Sequence, residues 1–399
     1  MKRTCLRILC LLMLLAAAGC TRPNPREASP AVPEDFTAEA WRWADSVAGS
    51  LDRRELAAQV LMPAVRSDSD SVSLRHLSLY IDSIPAGGVI LLKGDAASAR
   101  RVAQYIAAGS ELPPFVGIDA EWGLGMRITD APSFPVNADI SPNADESLLY
   151  DYGRELAREA RLLGINVIFA PVLDVDRPQG GVMRRRSFGS DPERVASLGT
   201  AFARGLEDGN VISVAKHFPG HGAADADSHR TLAAASLTRS ELDSIHLKPF
   251  RRYIDAGLSG VMVGHLWFAS VDSVRRSAVV SPEVITSLLR ERMGFKGLVF
   301  TDAINMQGLG KVAMPVRDAI LAGADIILAP PDTRAAHREI LSALADGSLP
   351  EDVLRERCRR ILFFKYSMWA YGKKEKAASR LPECLRSAAA DSIARMLAG

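Results

Sequence analysis

The sequence lacks an excess of charge of either sign. Its 49 lysines and arginines nearly balance 47 aspartates and glutamates, which gives a formal net charge of +2 at pH 7. Both signs are dispersed along the chain, whereas binding to a nucleic acid needs clustered cations. We therefore expect no nucleic-acid partner.

Cysteine is scarce, with 5 residues among 399. Only Cys20, Cys358 and Cys384 follow residue 19, and the first of these is assigned to lipidation below. One pairing is then left, and Cys384 lies in a weakly patterned tail. We expect no structural disulfide.

The amino terminus has the pattern of a bacterial lipoprotein signal. An apolar run at residues 8–15 is too short to span a bilayer comfortably, and small residues follow it up to Gly19. The run is preceded by three cations, Lys2, Arg3 and Arg7. The sequence Ala-Ala-Gly-Cys resembles a lipobox, which predicts a signal peptide over residues 1–19 and acylation of Cys20. The alternative is an ordinary secretory signal cleaved near Ala18.

A lipid at Cys20 would anchor the protein to a membrane of the cell envelope, outside the cytoplasm and without a spanning helix. Residues 20–36 are rich in proline and polar side chains, as a flexible tether is. The folded domain is predicted over residues 37–371. A basic and then alanine-rich tail follows at residues 372–399, as either an appended helix or a frayed end. We expect a monomer.

Eight apolar runs recur through the domain, and each is nearly continuous, as a strand buried on both faces is. Segments with helical periodicity separate the runs, for example residues 147–164, and a capping box at Thr238 to Glu241 begins another helix. About eight such βα units predict the α/β class and a single (β/α)8 TIM barrel. A doubly wound open sheet is the alternative. The runs are 59–65, 87–94, 114–121, 166–176, 212–218, 260–268, 297–303 and 324–330.

Ionisable side chains collect where these runs end. Because the active site of a (β/α)8 barrel lies at the carboxyl ends of its strands, this placement predicts an enzyme. Charges that only solvate helices would fall within the helical segments instead. The residues at the run ends are Asp119, Glu121, Asp174, Asp176, Lys216, His217, His265 and Asp302.

Residues 216–229, KHFPGHGAADADSH, contain three of the 7 histidines in the chain. Three interpretations compete for this segment: metal binding, an inert polar loop, and proton transfer. His217 and His221 have the spacing of a helical zinc pair, but Pro219 and Gly220 lie between them and break a helix. We therefore expect neither a metal nor another cofactor.

Proton transfer is the interpretation favoured by the end of the segment. Asp227 and His229 are separated by one residue, so in an extended segment both side chains point to the same side. The carboxylate can bond one imidazole nitrogen and leave the other nitrogen for substrate. Histidine, with an ordinary pKa of about 6.5, suits a group that acts first as an acid and then as a base.

Asp302 lies near the end of the run 297–303. It either caps the following helix or faces the mouth of the barrel as a carboxylate nucleophile or electrostatic stabiliser. Joined to a proton-transferring histidine, a nucleophilic carboxylate makes the apparatus of a retaining glycosidase. Lys216, His217, Asp119 and an arginine would then hold sugar hydroxyls.

Six stretches, in order and spread over roughly residues 50–370, make the chain resemble glycoside hydrolase family 3, specifically its β-N-acetylglucosaminidase branch. KHFPGHG followed by DSH is highly specific, because the glucosidase branches of the family lack this histidine-bearing loop. The other stretches are GIDAEWGLGMRI (117–128), APVLDVD (170–176), RSFG (186–189), VMVGH (261–265) and GFKGLVFTDAINM (294–306).

The resemblance implies a role for each matching residue. Asp302 corresponds to the nucleophile, His229 to the acid/base, and Asp227 to the partner of the histidine. Only the resemblance selects Arg127. Among the three adjacent arginines at 184–186, only the resemblance selects Arg186. The residues implied in binding N-acetylglucosamine are Asp119, Arg127, Arg186, Lys216 and His217.

The activity implied by the resemblance is that of a retaining exo-β-N-acetylglucosaminidase acting on peptidoglycan fragments or related glycans. A phosphorylase or another β-glycosidase of the family is one alternative, since a neutral histidine repels phosphate less than a carboxylate would. A sugar-binding lipoprotein that has lost turnover is the other. The sequence departs from the family at Ala223-Ala224, where Asp-Thr is usual, and at Ala233, where proline is usual. These changes leave the dyad intact but bear on how its loop closes.

Overall fold

The structure, a computed structural model, describes residues 34–67, 83–140, 142–177, 183–224, 231–372 and 385–399. The predicted signal peptide and Cys20 lie outside these residues. So do Asp227 and His229, the two residues of the predicted proton-transfer dyad.

Parallel strands form the centre of the fold, and each of the eight apolar runs contains at least one of them. The strands among the described residues are β1 (Leu61–Met62), β2 (Ala64–Val65), β3 (Gly88–Leu91), β4 (Phe115–Ile118), β5 (Val167–Ile168), β6 (Ile212–Phe218), β7 (Ala233–Ala235), β8 (Gly260–Val263), β9 (Leu266–Phe268), β10 (Leu298–Thr301) and β11 (Ile327–Leu328). Seven of them make one parallel sheet in the order β10-β8-β6-β5-β4-β3-β2. Two further parallel pairs are β1 with β11 and β7 with β9.

Helices alternate with the strands, as the periodicity of the sequence predicts. The α-helices are α1 (Glu34–Ser50), α2 (Arg53–Gln59), α3 (Ala96–Gly109), α4 (Glu146–Leu162), α5 (Pro192–Asp208), α6 (Arg239–Glu241), α7 (Leu247–Asp255), α8 (Pro315–Ala322), α9 (Thr333–Ala345), α10 (Glu351–Gly372) and α11 (Ala388–Ala398). The segments Leu242–His246 and Glu283–Arg292 are π-helical. Short 3-10 turns are Leu124–Met126, Asn137–Asp139, His221–Ala223, Ala278–Val280 and Gln307–Leu309.

Helix starts follow the capping signals in the sequence. At the start of α6, the Thr238 side chain accepts the Glu241 amide and the Glu241 carboxylate accepts the Thr238 amide, which is the predicted capping box. The predicted helix at 147–164 is α4, whose first turn is capped by Asp145 accepting the Leu148 amide. Capping thus fixes where these helices begin.

The sheet is curled. Phe169, just after β5, packs edge to face on Phe300 of β10 with ring centroids 5.5 Å apart, although two strands separate β5 from β10 in the sheet. Gly117 of β4 also faces this interior, because a Cβ there would lie 2.7 Å from Met62 and 2.8 Å from Phe169. Parallel strands buried on both faces and curled in this way form a half-barrel, as in TIM-like domains, so the α/β part of the fold prediction is confirmed.

The first helix of the described residues packs against the last long one. Helix α1 begins at Glu34, directly after Pro33. Helix α1 packs on α10, where Trp41 stacks on Phe363 with ring centroids 4.2 Å apart.

None of the helices in the described ranges is both long and apolar enough to cross a bilayer. Cys358 is buried with a free thiol.

Candidate active site

The carboxyl ends of three neighbouring strands lie at one level. Val263, the last residue of β8, is the register partner of Thr301 on one side and of Phe218 on the other. Asp302 therefore follows β10 at the height where the histidine-bearing segment leaves β6, about 10 Å away across two strand spacings. The Asp302 amide donates to the Val263 carbonyl at 2.8 Å, which fixes this register.

The backbone around Asp302 is held by His265. One nitrogen of this buried imidazole, Nε2, donates to the Ala303 carbonyl at 3.0 Å, and the other lies 3.1 Å from the Ser277 hydroxyl. One oxygen of the Asp302 carboxylate accepts the Ala303 amide at 2.8 Å, and the side chain is half-buried. The backbone next to Asp302 is thus held in place, while the carboxylate remains accessible to solvent.

A five-residue ion-pair network lies at the ends of β4 and β6. The Lys216 ammonium bridges Asp119 and Glu121, at 2.8 Å to each carboxylate. Arg127 donates to the other oxygen of Asp119 at 2.7 Å. Arg186 binds both oxygens of Glu121, at 2.9 and 2.6 Å. Each carboxylate is therefore paired with two cations. The network contains three cations and two anions, so its net charge is +1.

Burial and ion pairing act in opposite directions on this network. Burial alone would raise the pKa of Glu121, but Lys216 and Arg186 outweigh it and hold that pKa well below its ordinary value. The pKa of Asp119 is lowered against burial by Lys216 and Arg127. Burial would lower the pKa of Lys216, yet the two carboxylates raise it. Asp119, Glu121 and Lys216 are therefore charged at neutral pH, and the network forms a charged wall.

His217 is held between two charged residues. Its Nδ1 lies 2.8 Å from Asp174, and its Nε2 lies 3.2 Å from the Arg186 guanidinium. Because a guanidinium only donates, Nε2 accepts and the ring proton resides on Nδ1. Asp174 is fully buried and also accepts the amides of His217 and His221, the latter at 2.6 Å. Burial would raise the pKa of Asp174, but the interaction with His217 lowers it.

The root of the histidine-bearing loop is fixed by close packing. Gly220 has φ +132°, a conformation that favours glycine, and a Cβ at Gly222 would lie 1.8 Å from the Val175 carbonyl oxygen. His221 begins a 3-10 turn, so no helix joins it to His217, as predicted from Pro219-Gly220. The Lys216–His217 and Phe218–Pro219 peptide bonds are cis. Ala223 and Ala224, which replace the usual Asp-Thr, are buried.

All five residues predicted to bind sugar belong to one connected set: Asp119, Arg127, Arg186, Lys216 and His217. Glu121 and Asp174 lie at strand ends, and the sequence alone predicts no role for either, although they hold this set together. Within the residues described, no group of three or more histidine, cysteine or carboxylate side chains is arranged to hold a metal ion.

Fold and site together define a class of protein: a parallel α/β domain with a charged site at the carboxyl ends of its strands. Residues 58–364 match the model of the glycosyl hydrolase family 3 N terminal domain. The chain belongs to glycosyl hydrolase family 3, so the prediction of a glycoside hydrolase is confirmed.

Three known proteins illustrate the similarity. A beta-hexosaminidase of Nitrosospira multiformis is 34% identical over 295 residues, which cover 71% of this chain and 81% of that protein. The structure of a family 3 beta-N-acetylglucosaminidase from Paenibacillus sp. has a TM-score of 0.79 and 28% identity, covering 87% of this chain and 68% of the other. A beta-glucoside phosphorylase bound to 2FGlc has a TM-score of 0.81, covering 91% and 67%. At 22% identity, this last similarity concerns the fold alone.

Proposed function

We propose that the protein is a retaining exo-β-N-acetylglucosaminidase. The beta-hexosaminidase relative supports the hexosaminidase class. The observation that carries the proposal is the strand register, in which Val263 is paired with both Thr301 and Phe218. A half-buried carboxylate, Asp302, therefore lies level with the root of the loop that contains His229, beside a charged wall able to hold sugar hydroxyls.

The reaction proceeds in two displacements. In the first, an Asp302 oxygen bonds to the anomeric carbon as the bond to the leaving oxygen breaks, and His229 transfers its proton to that oxygen. Asp227 accepts a hydrogen bond from the other imidazole nitrogen and stabilises the protonated ring. In the second, His229 removes a proton from water, the water oxygen bonds to the anomeric carbon, and Asp302 leaves.

Sugar binding is assigned to Asp119, Arg127, Arg186, Lys216 and His217. Arg127, Arg186 and Asp119 are the more exposed of the charged groups, with side-chain exposures of 34%, 24% and 18%, and they contact hydroxyls directly. Lys216 is only 2% exposed, so its main contribution is to orient the Asp119 carboxylate. A wall of charges that are already paired binds neutral hydroxyls without reorganisation.

Product analysis tests the proposed activity. With a panel of nitrophenyl glycosides, we expect N-acetyl-β-glucosaminide to be cleaved in preference to β-glucoside, with release of free N-acetylglucosamine. Adding inorganic phosphate should leave the product unchanged. Sugar 1-phosphate as the main product would instead identify a phosphorylase, and a preference for glucose would place the protein in another branch of the family.

Replacing His229 by alanine should have an effect that depends on the leaving group. A natural sugar leaving group needs protonation, so we expect a loss of about 10²–10⁴-fold in its cleavage. An activated aryl leaving group departs with little protonation, so the rate of cleavage of an aryl glycoside should fall much less. The two rates are measured side by side on the same variant. Equal losses on both substrates would mean that His229 only shapes the loop.

We propose further that the half-barrel is part of a closed (β/α)8 barrel spanning residues 37–371. Three contacts support closure: β1 pairs with β11, β2 pairs with β3, and Phe300 of β10 bridges Ile326 just before β11. Strands β1 and β2 are two halves of the run 59–65, interrupted at Pro63, so together they count as the eighth strand. The tail of residues 372–399 lies outside this barrel.

The cellular setting is also a proposal. The signal peptide of residues 1–19 and the lipobox support acylation of Cys20 and attachment to a membrane of the cell envelope. An N-acetylglucosaminidase held there would act on peptidoglycan-derived glycans. We propose that it does so as a monomer.

A further inference from the structure

Two residues, Gly264 and His265, connect β8 to β9 at the carboxyl ends of the strands. We call this pair the β8–β9 link. The sequence places His265 at the end of an apolar run, and the proposed activity assigns no step to it. The link nevertheless contacts several parts of the candidate active site, through its backbone and through the imidazole.

The backbone of the link anchors the chain on both sides of the histidine-bearing segment. The Gly264 amide donates to the Phe218 carbonyl at 3.0 Å, where the chain leaves β6. The His265 carbonyl accepts the Ala233 amide at 3.4 Å, where the chain continues as β7. The chain therefore leaves and returns at adjacent residues of the link.

The link also packs on a residue of the sugar-binding set. A Cβ at Gly264 would lie only 3.0 Å from the Cβ of His217, so the two backbones approach closely there. The link thus lies between the residues assigned to sugar binding and the strand end that contains Asp302.

The imidazole of His265 reaches the chain next to the nucleophile. Its Nε2 donates to the carbonyl of Ala303, the residue after Asp302, at 3.0 Å. On the other side, the Asp302 amide donates to the carbonyl of Val263, the residue before the link, at 2.8 Å. The Ala303 amide in turn donates to the Asp302 carboxylate at 2.8 Å. A shift of the chain at Ala303 would therefore move the carboxylate.

A serine fixes the orientation of the imidazole. The Ser277 hydroxyl lies 3.1 Å from Nδ1 of His265, and the two side chains are 1% and 0% exposed. With its proton on Nε2, the neutral ring accepts at Nδ1, so Ser277 donates. Ser277 precedes the 3-10 turn Ala278–Val280 but its side chain does not cap that turn. Its hydroxyl is therefore directed to the imidazole.

We propose that His265 is a positioning residue for the Asp302 nucleophile and that Ser277 orients its ring. This role rests on the retaining mechanism proposed above. His265 acts through the Ala303 peptide and not on the sugar. An attacking group must lie about 3–3.5 Å from the reacting carbon, and a misplacement of about 1 Å can lower the rate on the order of a hundredfold. Loss of the imidazole should therefore lower kcat and leave sugar binding intact.

Two substitutions separate the hydrogen bond from the space that the ring fills. His265→Met has no donor, and its kcat for an aryl N-acetyl-β-glucosaminide should fall about a hundredfold. Its KM should stay within about threefold of the original, because the residues that bind the sugar are unchanged. His265→Gln keeps a side-chain N–H at the reach of Nε2, so its kcat should stay within about threefold of the original. Equal losses of kcat in the two variants, or a loss that appears only in KM, would overturn the positioning role.

The attack by Asp302 can also be measured alone. A 2-fluoro glycoside inactivator reports the first displacement, and its rate of reaction with His265→Met should fall by the same factor as kcat. Inactivation at the original rate would mean that the carboxylate is correctly placed without the imidazole.

Ser277→Ala tests whether the serine acts through the ring. Its kcat should fall about fivefold, as expected for the loss of one buried hydrogen bond, with KM unchanged. Combined with His265→Met, the serine change should cause no further loss, because the ring that it orients is already absent. Losses that multiply in the double variant would refute this part of the proposal. Should His265→Met not fold, Ser277→Ala and His265→Gln carry the test.

The matched control is His337→Met. His337 of α9 is also buried, at 6% exposure, and its Nε2 likewise donates to a backbone carbonyl, that of Arg54 at 2.8 Å. This variant should have a lower melting temperature and unchanged kcat and KM. A merely structural role for His265 would make His265→Met behave in the same way. If the original chain does not hydrolyse the glycoside, the proposed activity and the positioning role both fall. If it does, and His265→Met turns over at a similar rate, only the positioning role fails.

Discussion

Asp302→Ala should lower kcat/KM for an aryl N-acetyl-β-glucosaminide by at least about a thousandfold, which corresponds to ~4 kcal/mol of transition-state stabilisation. Alanine has no oxygen to bond to the anomeric carbon, and water would have to displace the leaving group directly. The fold should persist, because the carboxylate is half-buried and its hydrogen bond is to the adjacent Ala303 amide. Initial rates, together with a thermal melt, measure both effects.

Two observations separate the nucleophile from other roles of Asp302. A 2-fluoro glycoside inactivator should add one sugar to the peptide containing Asp302, whereas a pure sugar-binding protein would show no adduct. Asp255→Ala, which removes an exposed acid at the carboxyl end of α7, provides the control and should leave the rate unchanged. Near-normal turnover in Asp302→Ala would defeat the assignment.

The positions of the strands could be predicted because a strand buried on both faces consists of consecutive apolar residues, which the sequence shows directly. Each run is nearly continuous in apolar residues, and β3, β4, β6, β8 and β10 are buried at every residue. The same reasoning located Asp302 and Lys216 at strand ends. Local pattern is sufficient for these features because each depends only on neighbouring residues.

Partners within the site could not be predicted in the same way. Glu121 and Arg186 are separated by 65 residues, and Asp174 and His217 by 43, so their pairing depends on the register of different strands. The packing of α11 against α4 is another case. The Arg158 guanidinium reaches the Leu385 carbonyl across 227 residues of sequence. Such contacts follow from tertiary packing.

Glu159 is an unusual buried residue on α4, far from any predicted function. Its side chain is 0% exposed, and neither carboxylate oxygen has a hydrogen-bond partner among the residues described. Burial, reinforced by the nearby carboxylate of Glu155, raises the pKa of Glu159 from 4.5 to about 9. In the folded protein this carboxyl group is therefore neutral at pH 7, whereas in the unfolded chain it is ionised.

This difference makes the contribution of Glu159 to stability depend on pH. Below pH 4.5 both states hold the proton and no penalty arises. Between pH 4.5 and about 9 the folded state holds a proton that the unfolded chain has released, so the free energy of unfolding falls by about 1.4 kcal/mol per pH unit. At pH 7 the free energy of unfolding is therefore about 3 kcal/mol lower than it would be without this proton uptake.

Glu159→Met should therefore stabilise the protein, by about 3 kcal/mol at pH 7, because methionine has a similar volume and no proton to release. Urea unfolding of the original chain and the variant at pH 6 and pH 8 gives the measurement. The stability difference between them should widen by roughly 3 kcal/mol over that interval, since contributions of other groups cancel. Glu111→Gln, at an exposed position, should leave both values unchanged. Parallel pH profiles for the Glu159 variant and the original chain would show that this carboxyl group does not titrate as its burial requires.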